Sequence, residues 1–289
     1  MKRSIPFLFL LLLMLAGCAT GGGTGPAPVQ EVRPEAEPAA EVREPEPVLV
    51  ETALLQKETR YFRDGTVDSV TGYTYDARGN LLKGETRDSS GALLSSEAYT
   101  LKGDLPVRKD MRGESDEAAG YVLYAYDGDG RLVREEDYSY REELQMVTEY
   151  AYDPRGLKTR MSVLNGSGEL LSYIQYVYRD GLNVLNELYG GDGKLQNRFE
   201  KEFDSLGNLI RDTTFLADGT VEKIQVFSYE GGFLVREEQQ NRNGGLIRAY
   251  VYENDEKGSP VRIRLENNRG IVLDTVEREY AYMEKELKR

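Results

Sequence analysis

The chain has 289 residues, with no histidine, no tryptophan and a single cysteine, Cys18. That composition excludes histidine-based triads, Cys/His zinc centres and any intrachain disulfide. Fifty acids against 37 bases give a formal net charge of −13, which opposes contact with phosphate backbones, so nucleic acid is not an expected partner.

The first element is a leader. "MKRSIPFLFLLLLMLAGC" opens with Lys2 and Arg3, continues as an apolar run from Ile5 to Leu15, and ends in small residues. Residues 1–17 read as a secretory signal peptide, because the run is shorter than the roughly 20 residues of a stable bilayer span. Leu15-Ala16-Gly17-Cys18 resembles the lipobox of bacterial lipoproteins. The resemblance implies a diacylglyceryl group on the Cys18 thiol, cleavage between Gly17 and Cys18, and usually acylation of the new amine. Two or three acyl chains, at about 0.8 kcal/mol per buried methylene, make a durable membrane anchor. By analogy with the sorting rule of some diderm bacteria, Ala19 rather than Asp after the cysteine favours the outer membrane.

Residues 18–50 follow as the lipidated cysteine and a tether. Six of the ten prolines and six glutamates lie in this stretch, which has no sustained period and little to bury. It is expected to be disordered or polyproline-like.

Residues 51–282 repeat. The second aromatic of each tyrosine-type pair falls at Tyr75, Tyr99, Tyr126, Tyr152, Tyr178, Phe203, Tyr229, Tyr252 and Tyr282. Glycine-bearing turns recur about every 12 or 13 residues from Gly65 to Gly270, Gly245 among them. Two turns are irregular: "MRGESDEAAG" (111–120) is longer, and "YREEL" (140–144) has no glycine. Between turns the residues alternate with period two and are rich in Tyr, Val, Ile and Thr, the pattern of antiparallel strands. The expected fold class is all-β: a repetitive antiparallel β-hairpin meander of about 18 short strands, forming one long twisted or curled sheet. Residues 283–289 read as a charged C-terminal tail.

"YTYDARGNL" (73–81), "YAYDGDGRL" (124–132) and "KEFDSLGNL" (201–209) resemble YD repeats, the Rhs-type units of surface and secreted proteins. The resemblance spans roughly residues 55–282. It implies hairpins that continue one another in a long curling sheet, which large members wrap into a hollow shell around a C-terminal toxin. This chain has far fewer units.

The recurring acids and glycines have a turn-forming reading. Asp76, Asp127, Asp153 and Asp204 each lead into a turn, where a carboxylate accepts backbone amide bonds. Gly79, Gly130, Gly156 and Gly207 follow at the place where a tight hairpin needs positive φ. A catalytic reading of these acids is the rival, but repetition in turn after turn favours the structural one. "DGDG" (127–130) is a fragment of a calcium loop without its later ligands. No catalytic residue, metal site or cofactor is expected. The tyrosines are read chiefly as cross-strand packing. A second reading makes Tyr150 and Tyr176 part of a binding face for sugar rings or extended peptide. The terminal strands, near 52–63 and 271–282, carry charges that read as protection of two free sheet edges.

The expected function is that of a lipid-anchored, non-catalytic binding or scaffolding module in the cell envelope, with the membrane and a protein or glycan as partners. The alternatives are an envelope spacer or assembly subunit, and an enzyme acting on envelope polysaccharide.

Overall fold

The computed structural model describes residues 49–286. The signal peptide, Cys18 and the tether up to residue 48 lie outside the described residues. Eighteen strands follow in chain order: β1 (Leu49–Phe62), β2 (Val67–Tyr75), β3 (Leu81–Asp88), β4 (Leu93–Lys102), β5 (Leu105–Arg112), β6 (Ala118–Tyr126), β7 (Leu132–Ser139), β8 (Leu144–Tyr152), β9 (Lys158–Asn165), β10 (Leu170–Arg179), β11 (Leu182–Gly190), β12 (Leu195–Phe203), β13 (Leu209–Leu216), β14 (Val221–Glu230), β15 (Phe233–Gln240), β16 (Leu246–Asn254), β17 (Pro260–Asn267) and β18 (Val272–Glu286). Strand thus takes in Leu49 and Val50, assigned above to the tether, and residues 283–286, assigned to the tail.

Each strand pairs antiparallel with its neighbours in sequence, and β1 pairs with β18 as well as with β2. The sheet therefore closes into a barrel, which corrects the expectation of an open curled sheet. The closing contact explains charges that the sequence suggested were edge protection. Lys57 pairs with Glu279 at 2.9 Å, Arg278 with Glu58 at 2.9 Å, and Arg60 with Asp274 at 3.8 Å. The charges on one terminal strand are complements of those on the other.

Register fixes the size of the barrel. Tyr150 faces Met161, Met161 faces Ile174, and the equivalent tyrosine on that strand is Tyr176, two residues on. The same step of two residues recurs once per hairpin. Eighteen strands staggered in this way have a tilt of about 35° and, as a circular barrel, a backbone diameter of about 34 Å, wide enough for an aqueous lumen.

The turns account for the regular spacing. In the β2–β3 turn the Asp76 amide donates to the Asn80 carbonyl and the Gly79 amide to the Asp76 carbonyl, both at 2.9 Å. The Asp76 carboxylate accepts from the amides of Arg78 (2.9 Å) and Asn80 (2.8 Å). Gly79 has φ +71°, a conformation open to glycine at little cost. The turns at Asp127, Asp153 and Asp204 repeat this pattern. At 241–245 the residue with positive φ is Gly244, one before the Gly245 marked in the sequence. In the turn without glycine, Glu142 takes the same conformation at φ +62°. The longer irregular turn holds a short 3-10 segment, Glu114–Asp116.

Candidate functional site

A closed sheet has two faces, and register separates them. Cross-strand partners share a face, so Tyr73, Tyr99, Tyr124, Tyr150, Tyr176 and Tyr252 all point one way. Burial is the main cause that raises the pKa of each of these tyrosines, to about 12 at Tyr73 and Tyr176. On the other face, Tyr61, Tyr138 and Tyr189 are also raised, chiefly by hydrogen bonds to Glu277, Glu136 and Glu187. The densely surrounded face of a curved wall is its concave one. The six buried-side tyrosines therefore line the lumen.

The outer wall is charged at mid-strand. Arg108 pairs with Asp110 (2.6 Å), Arg134 with Glu136 (2.8 Å) and with Glu149, Arg198 with Glu200, and Arg236 with Glu238 (2.8 Å). Ala249, fully buried, sits in register between Glu238 and Glu266, with Arg236 reaching both carboxylates. Two stacked tyrosine pairs lie on this face, Tyr121–Tyr138 at 4.7 Å and Tyr173–Tyr189 at 4.9 Å. Arg108 and Arg160 cover them, each 3.8 Å from a ring centre. A membrane-spanning barrel presents an apolar band about 25 Å tall to lipid. This wall presents ion pairs there and suits water.

The inner wall has two rows of aromatics. The row nearer the Asp76-type turns is engaged with the backbone. A β-bulge beside each of these turns takes backbone groups out of the ladder. The hydroxyls of Tyr126 and Tyr152 donate at 2.8 Å to the carbonyls of Pro106 and Leu132, each at such a bulge, and Tyr75 donates at 2.8 Å to Leu55, at the bulge in the β1–β18 pairing. Tyr229 does the same to Leu209 at 2.9 Å, and Tyr280 to Pro260 at 3.4 Å. Asn254 replaces tyrosine in this role, donating to the Leu234 carbonyl at 2.9 Å. The partner always lies 20 residues upstream.

The deeper row is the candidate site. Around the lumen its positions on the even-numbered strands are Tyr73, Tyr99, Tyr124, Tyr150, Tyr176, Lys201, Phe227, Tyr252 and Arg278. Tyr150 and Tyr176, the candidate binding residues from the sequence, are neighbours here and both half-buried. The Tyr150 hydroxyl donates to Glu135 at 3.0 Å, and the Tyr252 hydroxyl donates to Glu237 at 3.3 Å. The Tyr176 hydroxyl meets the Met161 sulfur at 3.9 Å. The Lys158 ammonium lies 4.4 Å from the Tyr150 ring centre and 5.9 Å from that of Tyr176, and burial lowers its pKa. The two non-aromatic positions are ion-paired: Lys201 with Asp212, and Arg278 with Glu58.

Glu135, Lys158 and the two ion pairs were missed in the sequence. One signal was present: Glu135 precedes Tyr150, and Glu237 precedes Tyr252, by the same 15 residues. The turn residues Asp76, Asp127, Asp153 and Asp204 sit at the rim, away from the deeper row. The "DGDG" acids are engaged with Arg131, whose guanidinium meets Asp127 at 2.7 Å and Asp129 at 2.9 Å.

No protein-family model matches the chain, and no curated protein sequence matches it. Among solved structures it is similar to a porin-like protein from Bacteroides uniformis, at 11% identity and TM-score 0.44, over 78% of this chain and 98% of that one. A porin-like protein from Bacteroides vulgatus gives 13% identity and TM-score 0.39, over 78% and 98% of the two chains. The TcdB2–TccC3 structure gives 14% identity and TM-score 0.23, over 73% of this chain and 15% of that one.

Proposed function

We propose that this chain is a lipid-anchored, water-facing β-barrel of a bacterial cell envelope, a non-catalytic binding or scaffolding module whose contact surface is the lumen wall. The observation that carries the reading is the division of the two faces. Ion pairs occupy the outer wall, while tyrosines with hydrogen-bonding carboxylates line the inner one.

β1 begins and β18 ends at the rim that carries the Asp76-type turns. Ala19 after the cysteine favours the outer membrane in a diderm cell.

A spacer without a ligand is the second reading, favoured by the tyrosine hydroxyls already engaged with bulge carbonyls. Two measurements test the proposal. Cys18→Ala moves the protein out of the detergent phase on phase partition; unchanged partition refutes the anchor. The mature lipoprotein in detergent micelles co-sediments with isolated envelope fractions, and Tyr150→Ala reduces that co-sedimentation. Binding indifferent to the lumen substitution favours the spacer.

A further inference from the structure

We infer that the arc of the inner wall running from β2 to β10 is a binding site for a neutral glycan chain that curves with the wall. This inference rests on the binding-module reading above and names its ligand class.

The arc is set apart by its composition. Tyr73, Tyr99, Tyr124, Tyr150 and Tyr176 occupy the deeper row on five successive even-numbered strands without interruption. Ion pairs bound the run at both ends, Arg278–Glu58 before it and Lys201–Asp212 after it. Beyond those pairs the row is broken and mixed.

Spacing suits a polymer that bends with the wall. Neighbouring positions of the row are about 12 Å apart at the backbone of a barrel about 34 Å across and closer together at the rings, so a chain that curves round the wall can meet successive rings. An aromatic face takes the C–H side of a pyranose, and its hydroxyl offers a polar tip. Phenols are neutral near pH 7, and burial raises the pKa values of these five further.

Charge selects neutrality. Glu97 and Glu135 lie on this wall among the tyrosines, and so do Lys109 and Lys158. Asp137 adds a further carboxyl, facing Lys109 and pushed by burial towards its neutral form. A polycation would meet the Lys158 ammonium already placed against Tyr150 and Tyr176. A polyanion would meet the glutamates. A polyhydroxylated chain finds acceptors and donors of both kinds and no net repulsion.

The test titrates the mature lipoprotein in detergent micelles with cellohexaose, chitohexaose and maltohexaose. Hexalysine and hexagalacturonate serve as charged comparisons. Calorimetry reads affinity, and tyrosine emission gives a second readout undisturbed by tryptophan. A neutral hexasaccharide is expected to bind, more tightly than its disaccharide. Tyr124→Ala and Tyr150→Ala each weaken it by about tenfold, while Tyr124→Phe keeps the ring and most of the affinity. Tyr189→Ala, on the outer wall, leaves affinity unchanged. Absence of neutral-sugar binding, tighter binding of a charged hexamer, or an equal loss at Tyr189→Ala overturns the inference. Envelope co-sedimentation that persists without any oligosaccharide binding overturns the ligand class and leaves the binding-module reading standing. Hexasaccharides that bind and are shortened uphold the ligand class and overturn the non-catalytic reading.

Discussion

Removing one hydroxyl from the rim-side tyrosine row tests the account of the bulges directly. The Tyr126 hydroxyl donates at 2.8 Å to the Pro106 carbonyl, which lies at the bulge opposite Leu101 on β4. Tyr126→Phe keeps the ring and deletes only that bond. A net intramolecular hydrogen bond contributes about 0.5–1.5 kcal/mol, and a buried acceptor left unsatisfied costs about 1–3 kcal/mol. Tyr126 is half-buried, so water reaches the freed carbonyl in part, and the expected loss is about 1 kcal/mol. With a urea slope of about 2.5 kcal/mol/M, that loss moves the unfolding midpoint down by about 0.4 M. Tyr178 supplies the internal control: it holds the same row on β10, and among the described residues its hydroxyl has no hydrogen-bond partner. Tyr178→Phe should leave the midpoint in place. Tyr126 and Tyr229 lie far apart around the wall, so the double Phe variant should lose about 2 kcal/mol, the sum of the single losses. The assay is urea unfolding followed by circular dichroism in the strand band. Equal midpoints for Tyr126→Phe, Tyr178→Phe and the parent would refute the role given to the hydroxyl.

Barrel closure predicts a covalent trap: in a Cys18→Ala background, Tyr61→Cys with Thr275→Cys, which face each other across β1 and β18, should cross-link on mild oxidation and migrate faster on non-reducing gels. An open sheet would leave both thiols free. Glu142→Gly should stabilise the barrel by about 1 kcal/mol, because Glu142 holds φ +62° where the other turns place glycine. Gly207→Ala, at φ +86° with open space around the missing Cβ, should destabilise it by about the same amount; matched urea midpoints for these two variants would contradict the turn account. For the pH dependence, backbone and side-chain hydrogen bonds lower the pKa values of Asp76, Asp127 and Asp204 below their ordinary 3.8. Their contribution is thus present above that value and lost as pH falls through the lowered ones, so the melting temperature should drop on acidification below about pH 4. Asp137 has the opposite sign, since burial raises its pKa, and Asp137→Asn should stabilise at pH 7 with no gain at pH 3.

The repeat was legible in the sequence because each turn is a local device. An acid or amide at the first position and glycine three residues later carry their own hydrogen bonds, as at Asp76–Gly79 and Asp204–Gly207. The glycine-free turn showed how far such a device can stretch: Ser139 accepts the amide bonds, and Glu142 bears the left-handed conformation. Closure was less legible, because it is a sum of small steps. One hairpin advances the register by two residues whether the sheet stays open or not, and only the pairing of β1 with β18 decides between them. The charges at Lys57, Glu58 and Arg60 were visible, but isolated charges on a terminal strand also describe a protected edge. Their meaning appears only when Glu279, Arg278 and Asp274 stand opposite. Nor did alternation tell inside from outside, since both faces mix tyrosine with charge.

The two tyrosines of each repeat divide their work, and that division decides where a ligand can act. The rim-side hydroxyls of Tyr75, Tyr126, Tyr152 and Tyr229 are committed to bulge carbonyls, so a ligand that competes for them must reopen the wall. In the deeper row, the Tyr150 and Tyr252 hydroxyls meet carboxylates, groups that can exchange one hydroxyl partner for another without disturbing the ladder. Alanine in the rim-side row therefore acts on stability first and on binding through it. Alanine in the deeper row removes ring area from the lumen while leaving the bulge carbonyls satisfied. Stability and affinity should consequently separate between Tyr152→Ala and Tyr150→Ala, two residues apart on the same face of β8. If both substitutions lower stability alike and neither alters affinity, the lumen wall is packing throughout and the binding-module reading falls to the spacer.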